Sequence, residues 1–171
     1  MKRTSKVEDV VSIALPEFLL EEFLPYRLSV AANRVSRMFA ERYLSASELT
    51  VPEWRVLTVV GRSGTISPSA VGELAMMDKV KVSRAAANLV MRGLVKQAQD
   101  PHDGRGRLLS LTRTGAGLHS KVVPLAKELE SALAEGLNKQ EWTVLNKALV
   151  KLTKHVVKID GRNVETVAGS L

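Results

Sequence analysis

Lys79, Lys81, Ser83, Arg84 and Asn88 fall within one short stretch of the sequence, and together they have the chemistry of a surface that reads nucleic acid. A guanidinium can pair with both acceptors on a guanine edge, which suits Arg84, and a carboxamide can do the same for adenine, which suits Asn88. Lys79, Lys81 and Ser83 suit phosphate oxygens, whose contacts set the register of a protein on a duplex. The bland reading of the same residues is a solvated helix face, because lysine and arginine are common on any exposed helix.

A second group follows in Asp103, Arg105 and Arg107. Arg105 stands between Gly104 and Gly106, on a slender tip able to enter a narrow minor groove, where the negative potential is enhanced. Asp103 can tether Arg105 or cap the turn, and glycine and arginine also suit an ordinary exposed turn. From Lys79 to Arg113 there are eight basic residues against Asp100 and Asp103, a local charge of +6 where the whole chain carries +7. That concentration favours a polyanionic partner.

These groups need elements to hold them. Val82, Ala86, Leu89 and Val90 recur at helical spacing, opposite Lys81, Ser83, Arg84, Ala87 and Asn88, and predict a helix that starts after an Asp78-Lys79 joint and stops at Gly93. Ser67 ahead of Pro68 predicts a short helix to Met77. Thr50 and Glu53 stand in capping-box spacing before Trp54, Leu57 and Val60, and predict a further helix. Leu94 to Gln99 and Arg107 to Leu111 read as strands around a turn-rich segment. Long helices are predicted at Phe23 to Tyr43, through Leu118 to Leu133, and through Trp142 to Val156, the last capped by Asn138 and Glu141.

The expected fold is therefore mainly α with a small β-ribbon: a winged helix-turn-helix domain plus terminal dimerisation helices. Its expected divisions are an amino-terminal extension at 1–22, a helical dimerisation region at 23–48 and 113–160, a DNA-binding domain at 49–112, and a polar tail at 161–171. The terminal helices carry more apolar surface than so small a central domain can cover, which favours a two-fold homodimer.

Other chemistries find little support. The chain has 171 residues, 45% hydrophobic and 25% charged, in keeping with a folded globular protein, and it has no cysteine, which excludes disulfides and thiolate-ligated metals. His102, His119 and His155 form no pair at ligand spacing, so no metal and no cofactor is expected. No dinucleotide fingerprint, phosphate loop or nucleophile elbow is present, and an enzyme is the least favoured class. Met1 to Leu20 does not read as a signal peptide, and no stretch approaches a bilayer span, so no membrane partner and a cytoplasmic location are expected. Trp54 and Trp142 lie in apolar stripes and read as core.

Leu74-Ala75, Asp78-Lys79, Val82-Ser83-Arg84, Arg92-Gly93-Leu94-Val95, Asp100-Pro101, Asp103-Gly104-Arg105 and Leu111-Thr112 with Gly115 occur in this order. The set resembles the signature of the MarR family of bacterial transcription regulators. Pro25-Tyr26-Arg27-Leu28 and Pro52-Glu53-Trp54-Arg55-Val56-Leu57 extend the resemblance, which covers roughly Leu24 to Val157. It implies an obligate homodimer joined by its terminal helices, a recognition helix carrying Ser83 and Arg84, and a wing fixed and inserted by Asp103 and Arg105. It also implies a repressor of a pseudo-palindromic operator, modulated by a small aromatic or anionic effector where Arg27 or Arg55 could meet a carboxylate. The alternative for those two arginines is a surface or interdomain ion pair. Two other classes share the basic patch: an architectural DNA-coating protein, and a winged helix used for protein contacts.

Overall fold

The computed structural model describes residues 16–104 and 106–159; the expected polar tail at 161–171, most of the extension at 1–22, and Arg105 lie outside them. The chain divides into two compact units, Met1–Arg34 and Val35–Leu171. The described part of the first holds a 3₁₀ turn, Leu20–Glu22, and the start of helix α1, Leu24–Phe39. There the Phe18 and Phe23 rings lie 5.4 Å apart, and the Arg27 Nε–H donates to the Glu21 carbonyl.

In the second unit α1 ends four residues before the Tyr43 expected from its periodicity, passing into a π-helical turn, Ala40–Leu44, and a 3₁₀ turn, Ser45–Ser47. Packing explains the change. Phe39 and Leu44 are both buried, yet residues five apart sit about 140° round a regular helix. A wider turn bonded i to i+5 brings them towards one line.

Helix α2, Val51–Ser63, starts on the expected capping box: the Thr50 hydroxyl accepts from the Glu53 N–H at 3.3 Å, and the Thr50 N–H donates to Glu53 Oε2 at 2.8 Å. Helix α3, Pro68–Ala75, is capped by the Ser67 hydroxyl, which accepts from the Ala70 N–H at 3.2 Å. It stops short of Met77 because Met76 turns left-handed at φ 51° and the Met77 N–H donates back to the Gly72 carbonyl at 2.9 Å. That closes the joint before α4, Lys79–Met91, whose first turn is capped by Asp78 Oδ1 accepting from the Lys81 N–H at 2.8 Å. Gly93, at φ 68°, ends it.

Strands β1, Val95–Gln99, and β2, Arg107–Leu111, pair antiparallel with Val95 opposite Leu111 and Gln99 opposite Arg107. Ile66, expected as part of a plain extended link, forms a bridge to Leu109, each N–H donating to the other's carbonyl at 3.0 and 2.8 Å. Helix α5, Arg113–Ala134, follows at once, and α6, Lys139–Ile159, is capped by Asn138 and Glu141 as expected.

One core joins α2, α4, the ribbon and α5, with Val56, Leu57, Val60, Leu89, Leu109 and Val122 almost wholly enclosed. Trp54 packs edge-on against Phe39 at 4.6 Å and borders this core, as its place in an apolar stripe implied. The fold is mainly helical with a two-stranded ribbon, arranged as a winged helix-turn-helix followed by two long helices. Among the described residues no helix is long and apolar enough to cross a membrane.

Candidate nucleic-acid interface

Helix α4 rests on the core through Val82, Ala85, Ala86 and Leu89, and its opposite side is open. Val80, Arg84, Ala87 and Met91 form that outer line, at steps of four, three and four, with Ser83 beside it. The first turn carries Lys79 and Lys81 and no acid. Lysine there opposes the helix dipole, which is positive at that end, so the local helix gains nothing from it. An anion placed in front gains from both lysines, while the Lys81 N–H already serves the Asp78 carboxylate.

Lys81 is not wholly free: its Nζ lies 3.0 Å from Asp78 Oδ2, with both side chains more than half exposed. The Lys81 N–H, accepted by the Asp78 carboxylate, holds that carboxyl below its ordinary value of 3.8, with the Lys81 ammonium adding to the effect. A lowered folded value means that the cap stabilises above pH 3.8 and is lost as the pH falls through that lowered value. Asp78→Asn keeps a capping oxygen and releases the ammonium. It is expected to tighten binding to random-sequence DNA by less than about fivefold, the scale of an exposed ion pair, and to steepen its salt dependence, read by fluorescence anisotropy across a salt series.

In the ribbon, Arg107 is exposed at the tip end of β2 and Lys96 on β1. The tip is closed by the Gly106 N–H donating to the Asp103 carbonyl at 2.8 Å and the Asp100 N–H donating to the Gly106 carbonyl at 3.0 Å. The Asp100 carboxylate accepts from the His102 N–H at 2.9 Å. Asp103 is exposed in this loop, while Arg105 lies outside the described residues. Between α3, α4 and the ribbon runs a groove of about 840 Å³ that brings Lys79, Ser83 and Arg107 together. Arg84 and Asn88 do not line it.

Asn88 has a different engagement from the base contact expected of it. Its Nδ2 donates to Glu53 Oε1 at 3.1 Å, across to α2. Glu53 is 5% exposed. Arg92 Nη1 lies 4.0 Å from its other oxygen and donates to the Glu48 carbonyl at 2.7 Å, while Nη2 donates to the Ser47 carbonyl at 2.9 Å. In the sequence Glu53 stands in a capping box and Arg92 at a helix exit. Their meeting joins the exit of α4 to the start of α2 and could not be read from either local pattern.

Of the two arginines assigned to an effector, Arg27 lies in the first unit and Arg55 is exposed on α2 in the second. Trp54 Nε1 is buried with no hydrogen-bond partner among the described residues. Among the described residues no cluster of histidine and carboxylate side chains could hold a metal ion.

A model of the MarR family matches residues 47–106. The chain is 29% identical over 136 residues to the transcriptional repressor IacR of Pseudomonas putida, covering 80% of this chain and 81% of that one. It is similar to a mutant of Escherichia coli MarR in complex with operator DNA, at a TM-score of 0.72 and 26% identity over 80% of this chain and 99% of that chain. BpsR of Bordetella bronchiseptica, in a structure reported for the mechanism by which 6-hydroxynicotinic acid regulates its DNA binding, matches at a TM-score of 0.70 and 27% identity, covering 75% and 97%.

Proposed function

The chain belongs to the MarR family of DNA-binding transcription regulators, and from that premise we propose that it is a homodimeric repressor of a pseudo-palindromic operator. In this reading α4 enters the major groove, where Arg84 pairs with a guanine, while Lys79, Lys81 and Ser83 hold phosphates. The wing tracks the adjacent minor groove, with Asp103 fixing its tip and Arg105 and Arg107 meeting the backbone and groove floor. The observation that carries the reading is the open outer line of α4, centred on Arg84 and bordered by lysines and the ribbon.

The divisions of labour follow: 49–112 binds DNA, and 23–48 with 113–160 joins the two copies. Support for the dimer comes from α6, none of whose residues is buried and whose Leu145, Leu149, Leu152 and Val156 repeat on one exposed side. A second copy covers such a face at low cost. An operator-bound repressor acts by occupying DNA in the cytoplasm and has no catalytic role. A small aromatic or anionic effector shifts DNA affinity by binding one spacing of the two heads better than the other. The unpaired indole N–H of Trp54 supports such a ligand, since a buried donor without an acceptor is costly. Arg27 or Arg55 supplies a cationic group for its carboxylate.

Fluorescence anisotropy with DNA from upstream of the protein's own gene, against a shuffled duplex at two salt concentrations, tests the regulator reading. Tight, salt-dependent binding that rejects the control supports it, and equal binding to both turns the assignment to an architectural role. Arg84→Ala is expected to cost roughly 1–3 kcal/mol of operator affinity and to relax preference at one base pair. Unchanged preference in that variant removes Arg84 from base reading.

A further inference from the structure

We propose, building on the reading of α4 as the base-reading helix, that its outer line selects thymine methyl groups on either side of the base pair read by Arg84. Three observations converge on this. Asn88, the other polar candidate for base contact, is tied to the Glu53 carboxylate at 3.1 Å, which leaves Arg84 flanked on its own line by Val80 and Ala87. Val80 is 58% exposed within a ring of charge formed by Lys79, Lys81 and Arg84. Nothing local explains a valine there, because a β-branched residue is a poorer helix former than the straight-chain polar residues that usually fill an exposed first turn.

The occupant is fixed by complementarity. The cations around the line require a polyanion, and the small apolar side chains require apolar points within it. In the major groove the thymine 5-methyl is the one apolar group that a base edge presents. Val80 and Ala87 lie about 10 Å apart along the helix axis, far enough to meet different base pairs of the groove. Arg84 falls between them. The selected half-site therefore holds a G·C pair with a thymine towards each end of a short window, and Val80 and Ala87 cover those methyl groups.

The test begins with selection of bound duplexes from a random-sequence library by the full chain, followed by replacement of the selected thymines with deoxyuridine, which removes the methyl group and keeps the pairing. The expected result is a converged site with thymines flanking the G·C pair and a loss of about fourfold in affinity for each methyl group removed, the value of one buried methylene. In Val80→Ser, whose exposed position leaves the core intact, thymine and uracil duplexes are expected to bind within about twofold at the position that Val80 covers. Equal binding of the two duplexes by the parent protein, or a converged site without those thymines, overturns the inference and leaves the regulator reading standing. Discrimination that persists in Val80→Ser overturns the assignment to Val80. A selection that converges on no sequence overturns both readings together.

Discussion

Gly115→Ala is expected to cost about 3 kcal/mol or more of folding stability, at the upper end of what an added core methyl group costs. The position is buried at the start of α5, and a Cβ built there falls 1.8 Å from the Leu94 carbonyl oxygen and 2.8 Å from its carbon. That carbonyl is not free to retreat. It accepts from the Thr112 N–H at 3.0 Å, and the Thr112 hydroxyl, 3.2 Å from it, donates its one proton to the Gly93 carbonyl at 2.6 Å and caps α5 by accepting from the Gly115 N–H. Relief of the clash must break this knot, which ties the entry of β1 to the exit of β2. The loss corresponds to a fall in Tm of about 6–12 °C for a domain of this size, measured by circular dichroism. Gly117→Ala is the control, because among the described residues nothing beyond its own helix backbone and chain neighbours lies within 4 Å of its added Cβ and alanine favours a helix. If both variants melt alike, the close approach at Gly115 does not govern stability.

The elements that were legible in the sequence are those whose signals are local. Thr50 with Glu53, Ser67 before Pro68, and Asn138 with Glu141 each satisfy free helix-end N–H groups within a few residues, so residue type alone marks the start. The Asp78-Lys79 joint closes by Asp78 capping α4. Apolar spacing likewise identified the buried side of α4. What it could not resolve is which exposed polar residue turns back towards the protein. Asn88 and Glu53 are 35 positions apart, and their pairing depends on how α2 and α4 pack. The Ile66 bridge and the π turn at Ala40–Leu44 have the same origin, since each answers to a distant partner or to two core positions at once. In the candidate interface, the division of α4 into a buried and an exposed face was therefore accessible from sequence, and which of its exposed polar residues is tied to α2 was not.

That division gives a second large effect. Glu53→Ala is expected to cost about 2–3 kcal/mol of stability, because one buried carboxylate serves the Thr50 N–H at 2.8 Å, Asn88 Nδ2 at 3.1 Å and the neighbouring Arg92 guanidinium, and hydrogen bonds to a charged group are worth more than neutral ones. Glu53→Gln is expected to lose roughly half as much, since its amide oxygen can still accept from Thr50 but its NH₂ group faces donors. The DNA readout separates position from recognition. With the polar tie between α4 and α2 weakened, affinity should fall for operator and control duplexes alike in a folded Glu53→Gln protein. Asn88→Ala should behave the same way, with preference among bases retained, when binding is measured by anisotropy on single-base operator variants. A selective loss at one adenine in Asn88→Ala would instead return that residue to base reading, and would require its carboxamide to leave Glu53 when DNA binds. The Glu53–Asn88 contact and an Asn88–adenine contact compete for the same side-chain amide, so a two-way cycle of Glu53→Gln and Asn88→Ala on operator and control DNA distinguishes them: a coupling of equal size on both duplexes belongs to the fold, and a coupling confined to the operator belongs to recognition.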